Sequence, residues 1–160
     1  MTLTDLNLLS PANAEAELQQ CCGSRRWTRL MLGERPFANP GVLIAEAERI
    51  WWSLSAADWL EAFAAHPRIG EPSESAWASQ EQAGAASATE EVRGRLARGN
   101  REYEQRFGYT FLVCATGRTA EEMLSLLEER LRNAPHDELQ VAALEQRKVT
   151  ELRLLKLVSG

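Results

Sequence analysis

Thr119-Ala120-Glu121-Glu122-Met123-Leu124-Ser125-Leu126-Leu127-Glu128-Glu129-Arg130-Leu131-Arg132-Asn133 is the stretch whose reading decides the fold class. It opens with a capping box. The Thr119 hydroxyl is placed to accept from the backbone three residues on, and the Glu at that position is placed to reach back. The spacing predicts a helix to about Asn133, and Pro135 with Asp137 starts another, through Leu139, Leu144, Val149, Leu152 and Leu155. Working toward the N-terminus, the same signals recur. A helix is expected from Thr89 to Phe107 with Gly108 at its left-handed cap, and another from Ser75 to Ala86. Ser55-Ala56-Ala57-Asp58 is a capping box with Asp in place of Glu or Gln, and opens Trp59–Ala65 ahead of His66-Pro67. Asn39-Pro40 and Ser10-Pro11 each pair an N-cap with a proline at the first helical position, the latter helix stopping at Gly23.

Composition points the same way. The chain has 23 Ala and 22 Leu against 6 Val and 3 Ile, an excess of helix formers over the β-branched residues that sheets favour. Only Tyr109-Thr110-Phe111-Leu112-Val113-Cys114 is strand-like, and it reads as a buried extended segment or a helix start. The expectation is an all-α, single-domain bundle of about seven or eight helices over residues 1–160, without repeats or linkers.

A net charge of −5 disfavours nucleic acid as a partner, and no apolar run reaches the length of a membrane span. The first ten residues lack a signal peptide's basic start, and Val158-Ser159-Gly160 is no targeting tail, which predicts a cytoplasmic protein. Cys21 and Cys22 are adjacent and Cys114 stands apart, so reduced thiols are expected rather than a disulfide framework. Two His and three Cys leave little for a metal site, and no cofactor is expected.

Four stretches carry chemistry. In His66-Pro67-Arg68-Ile69-Gly70 a helix-end imidazole, suited to proton exchange near neutral pH, is followed by a proline-fixed turn; packing at a helix stop is the plainer alternative. In Trp77…Glu81-Gln82-Ala83-Gly84 a carboxylate shares a helix face with an indole, or forms a solvated face. Arg153 stands beside an apolar stripe, where it either snorkels or presents its fork to a carboxylate. The Phe107–Phe111 stretch either packs in the core or offers backbone N–H groups to a ligand. His136 reads as a surface residue.

Taken in order, these pieces are more specific. Gly23-Ser24…Trp27, Arg35-Pro36-Phe37, Asp58-Trp59-Leu60, His66-Pro67-Arg68-Ile69-Gly70, Glu81-Gln82-Ala83-Gly84, Asn100…Tyr103-Glu104…Phe107-Gly108…Phe111, Arg130-Leu131…Asn133 and Arg153-Leu154 together resemble the 2-oxo-4-hydroxy-4-carboxy-5-ureidoimidazoline (OHCU) decarboxylases, from about residue 5 to 157. The resemblance implies an all-helical, cofactor-free homodimer that converts OHCU to (S)-allantoin and carbon dioxide in urate degradation. By position, His66 resembles the essential histidine and Glu81 with Gln82 the acidic and amide pocket pair. Arg153 resembles the substrate-contacting arginine, Pro67 shapes the pocket, and the Phe111, Leu112 and Val113 amides resemble ligand donors. Two positions depart: Ala78 stands where the family commonly has a serine, with Ser79 next to it, and Tyr109-Thr110 replaces a Phe-Pro pair. The proton donor is His66 or Glu81. The competing classes are a helical interaction module and an enzyme acting on another ureido compound.

Overall fold

The computed structural model describes residues 1–71 and 76–160. Among them the chain forms α1 (Leu3–Leu8), α2 (Pro11–Cys21), α3 (Arg25–Gly33), α4 (Pro40–Ser53), α5 (Ala56–Ala64), α6 (Ala76–Glu81), a 3-10 turn (Ala83–Ser87), α7 (Glu90–Phe107), α8 (Ala120–Arg130) and α9 (Pro135–Leu157). The all-α expectation holds. The capping residues act as read: Ser10 and Asn39 accept from the N–H groups of Asn13 and Val42. Thr119 and Glu122 form the reciprocal box of α8, and Ser55 and Asp58 bond each other both ways at the start of α5. Gly108 takes φ 81° as the cap of α7.

Among the described residues, two of the nine helices, α1 and α3, match none of those expected by position. Six-residue α1 is too short for hydrophobic periodicity to show and is started by a Thr2–Asp5 capping box. Nine-residue α3 begins at Arg25 with Ser24 as its N-cap, just past the expected stop at Gly23, while α2 ends at Cys21 and Cys22 leaves it in extended conformation. The helix expected over 75–86 is also corrected. Its start at Ser75 lies outside the described residues, and it breaks at Gln82, which leaves helical geometry at φ −98°, ψ 19°.

The chain divides into two compact units, Met1–Ala62 with Arg147–Gly160, and Phe63–Gln146. In the first, Leu6, Leu18, Trp27, Met31 and Leu43 are fully buried. The indoles there are buried with their donors satisfied: Trp27 Nε1 donates to the Ala47 carbonyl at 3.1 Å and Trp59 Nε1 to the Trp51 carbonyl at 3.0 Å. The Arg35 guanidinium donates to the carbonyls of Leu6 and Leu9 at 2.9 Å each, closing the open end of α1. All three cysteines are buried thiols. Burial pushes the Cys22 thiol up to about 11, so little thiolate exists at neutral pH. Native protein treated with a thiol-specific disulfide reagent should leave the Cys21-Cys22 peptide unmodified by mass spectrometry until denaturant is added. Rapid modification of Cys22 in the native state would contradict this burial.

In the second unit α7 packs against α8 so closely that a Cβ on Gly99 would lie 2.6 Å from Leu127 Cδ2. Leu96, Tyr103, Phe111, Met123 and Leu127 fill the space between them. Inside this apolar core sits an ion pair. Arg130 and Glu138 meet at 2.7 Å with side-chain exposures of 6% and 0%. Tyr103 donates its hydroxyl to Glu138, and Asn133 Nδ2 donates to the same carboxylate at 3.1 Å. The guanidinium also lies over the Phe111 ring, 4.6 Å from its centroid. Burial pushes the Tyr103 phenol well above its ordinary range, so it serves as a donor.

Candidate functional site

The second unit carries most of the expected site. α5 ends at Ala64, and the chain leaves it with the His66 N–H on the Phe63 carbonyl at 3.2 Å. His66 therefore stands just outside the helix, as Pro67 requires. Arg68 to Glu71 then forms a β-turn closed by Glu71 N–H on the Arg68 carbonyl at 3.2 Å. Its third residue is Gly70 at φ 89°, the left-handed position at which a type II turn needs glycine.

Distant side chains hold this turn. Buried Asn100 on α7 donates Nδ2 to the Ile69 carbonyl at 3.0 Å. Gly70 N–H donates to Gln82 Oε1 at 3.1 Å. Arg68 grips Glu104 in two-pronged fashion at 2.7 and 3.2 Å. His66 Nε2 lies 2.6 Å from Oε1 of Gln146 on α9. His66 and Pro67 remain half-buried, so the ring is both fixed and accessible.

Glu81 is the last residue of α6 and half-buried, with half-buried Trp77 one turn before it. Ala78, at the departed serine position, is buried, while Ser79 is exposed. Gln82 spends its carbonyl oxygen on Gly70, and its amide donors have no protein acceptor among the described residues. Gly84 explains the spacing of Glu81-Gln82-Ala83-Gly84: a Cβ there would lie 2.1 Å from the Arg118 carbonyl oxygen. Backbone cannot yield as a side-chain tip can. Gly84→Ala should therefore cost at least about 1–3 kcal/mol of stability and displace the Glu81-Gln82 pair, measured by thermal unfolding and turnover. An unchanged melting temperature would contradict that close approach.

The 111–113 segment lies outside any helix and is almost wholly buried. Its surroundings are fixed by charged side chains: Arg130 NH1 donates to the Leu112 carbonyl at 2.7 Å, and Cys114 N–H donates to Glu145 Oε1 at 3.2 Å. The N–H groups of Phe111, Leu112 and Val113, by contrast, have no protein acceptor among the described residues. Successive buried amides without acceptors are rare, because each forfeits its hydrogen bond to water. They are donors available to a ligand.

His66, Pro67, Glu81, Gln82 and 111–113 thus belong to one compact unit. Arg153 belongs to the other unit, half-buried, with NH1 donating to the Gln20 carbonyl at 3.1 Å. His136 is exposed on α9, as expected. Sequence reasoning missed Asn100, Arg130, Glu138, Glu145 and Gln146 as supports of the site. Glu138, Ala142 and Gln146 follow at four-residue spacing and all three are fully buried, but two polar residues in that stripe hide it from a reading of apolar periodicity. Among the described residues no group of three or more His, Cys, Asp or Glu is placed to hold a metal ion. No described helix is long and apolar enough to cross a membrane.

Comparison with known proteins is consistent across sequence and structure. The sequence profile of OHCU decarboxylase matches residues 7–155. The uric acid degradation bifunctional protein TTL of Arabidopsis thaliana is 40% identical over 154 residues, which cover 91% of this chain and 47% of that protein. The chain thus spans about half the length of that relative. The 2-oxo-4-hydroxy-4-carboxy-5-ureidoimidazoline decarboxylase of Amia calva is 34% identical over 131 residues, covering 78% of this chain and 75% of that one. A crystal structure of OHCU decarboxylase in the presence of (S)-allantoin superposes with a TM-score of 0.83 at 40% identity, covering 90% of this chain and 98% of that chain.

Proposed function

Since the chain belongs to the OHCU decarboxylase family, we propose that it decarboxylates OHCU to (S)-allantoin and carbon dioxide in urate degradation, without a cofactor. The observation that carries this reading is that one unit holds both a clamped, half-buried imidazole and a row of buried amides with no acceptor among the described residues. The substrate's needs fit that pairing. Breaking the bond to the carboxylate leaves an electron pair on the ring carbon, and carbon dioxide departs. The adjacent ring C=N bond, at the ureido-bearing carbon, takes the pair onto nitrogen and leaves a C=C bond between the hydroxyl- and ureido-bearing carbons, so the substrate carries its own electron sink. The protein must hold the carboxylate out of the ring plane and deliver one proton to one face of the ureido-bearing carbon, while the hydroxyl proton passes to the ring nitrogen as the new ring carbonyl forms.

His66 bonds the hydroxyl and carboxylate region and exchanges the proton, while Glu81 orients the hydroxyl. The Gln82 amide and the Phe111, Leu112 and Val113 N–H groups receive the carbonyl oxygens of the ring and ureido groups, and Pro67 shapes the wall. Preorganised donors of this kind stabilise charge as it develops on the ring nitrogen and its conjugated carbonyl oxygen. Arg153 supplies positive charge for an anionic substrate in a protein of net charge −5. Arg153→Ala should raise KM by about tenfold or more; an unchanged KM would remove it from substrate binding. Protein assembly follows the same reading: a homodimer in the cytoplasm, with exposed Leu152 and Leu155 available for association. The test generates OHCU in place with urate oxidase and hydroxyisourate hydrolase and follows its decay optically. Decay at the uncatalysed rate, alongside turnover of another ureido compound, would shift the assignment to that compound.

A further inference from the structure

Gln146 is fully buried and places its carbonyl oxygen 2.6 Å from His66 Nε2 across 80 positions of sequence. A carboxamide oxygen can only accept, so this bond requires a proton on Nε2. In the neutral ring the lone pair then sits on Nδ1. Gln146 itself is held by its place on α9, on the stripe with fully buried Glu138 and Ala142. Glu138 on that stripe is in turn tied to Arg130, so the stripe is anchored in the core of the unit. A neutral amide suits this position. It directs the ring without the charge that would hold it as imidazolium.

We propose that Gln146 is a positioning residue that selects the Nε2–H tautomer of His66 and makes Nδ1 the nitrogen that exchanges the proton with substrate. The inference rests on His66 being the proton-exchanging group of the decarboxylation reading, but the tautomer is measurable without substrate. Failure of turnover and failure of the tautomer are therefore separate results.

The chain holds two histidines, so protein labelled with 15N-histidine gives two ring patterns, and His136→Gln identifies that of the exposed ring. Above the ordinary titration range of histidine, His66 in the wild-type protein is expected to show a protonated Nε2 and an unprotonated Nδ1, widely separated in 15N shift. Gln146→Met keeps the side-chain length and removes the acceptor. Its His66 shifts should move toward the tautomer average, with kcat down about tenfold and KM within about twofold. Gln146→Glu restores an acceptor oxygen and should restore the proton on Nε2, its added charge drawing a second proton onto Nδ1. An Nδ1–H pattern in the wild-type protein overturns the proposal without recourse to any variant. So does an unaltered His66 pattern with unaltered kcat in Gln146→Met.

Discussion

Replacing His66 with alanine is expected to lower OHCU turnover by about 10²–10⁴-fold while leaving the helical fold in place. The size follows from the proposed role: without the imidazole, the decarboxylated intermediate takes its proton from water, and the product loses its facial preference. Retention of the fold follows from where His66 stands. It lies just beyond α5, is half-buried, and the turn that follows it keeps the Asn100, Gln82 and Glu104 bonds. The measurement is the first-order decay of freshly generated OHCU under each protein, with circular dichroism of the protein as the fold control. Turnover within about tenfold of wild type would remove His66 from the chemistry.

The largest effect on stability is expected at Arg130. Its guanidinium donates to both oxygens of fully buried Glu138 at 3.0 to 3.2 Å through Nε and at 2.7 Å through NH2, and to the Leu112 carbonyl at 2.7 Å through NH1. Arg130→Met leaves the Glu138 carboxylate buried with only Tyr103 and Asn133 as donors. Breaking one side of a buried pair in this way costs about 3–5 kcal/mol. For a chain of this size that corresponds to a fall of roughly 6–20 °C in Tm. Removing both charges, as in Arg130→Met with Glu138→Leu, should destabilise less than the sum of the single changes, because no charge is left stranded. The double variant still frees the Leu112 carbonyl, so its turnover should remain low even where its stability recovers. A loss below about 1 kcal/mol for Arg130→Met would show that the pair is not desolvated as described.

What was legible in the sequence is what is local. Thr119–Glu122, Ser55–Asp58, Asn39-Pro40 and Ser10-Pro11 signal helix starts because an N-cap bonds within three residues of itself. His66 was legible as a helix-end imidazole because Pro67 acts on its immediate neighbour. Six-residue α1 escaped because one turn and a half has no periodicity to read, and the break at Gln82 escaped because its cause is a backbone contact from Arg118 onto Gly84. The supports of the site were hidden for the same reason: Tyr103, Arg130 and Glu138 form one buried cluster from three helices, and no local pattern links them. Gln146 reads as one more polar residue in Glu145-Gln146-Arg147-Lys148 until its burial is seen. The 111–113 segment was legible as apolar and buried, but that its amides meet no acceptor among the described residues depends on tertiary packing.

The central claim is that this chain protonates the ureido-bearing carbon of the decarboxylated intermediate on one face. OHCU generated enzymatically and decayed with and without the protein, followed by circular dichroism of the product, tests it directly. The prediction is accelerated decay with accumulation of optically active (S)-allantoin. Decay at the uncatalysed rate to racemic allantoin would contradict it.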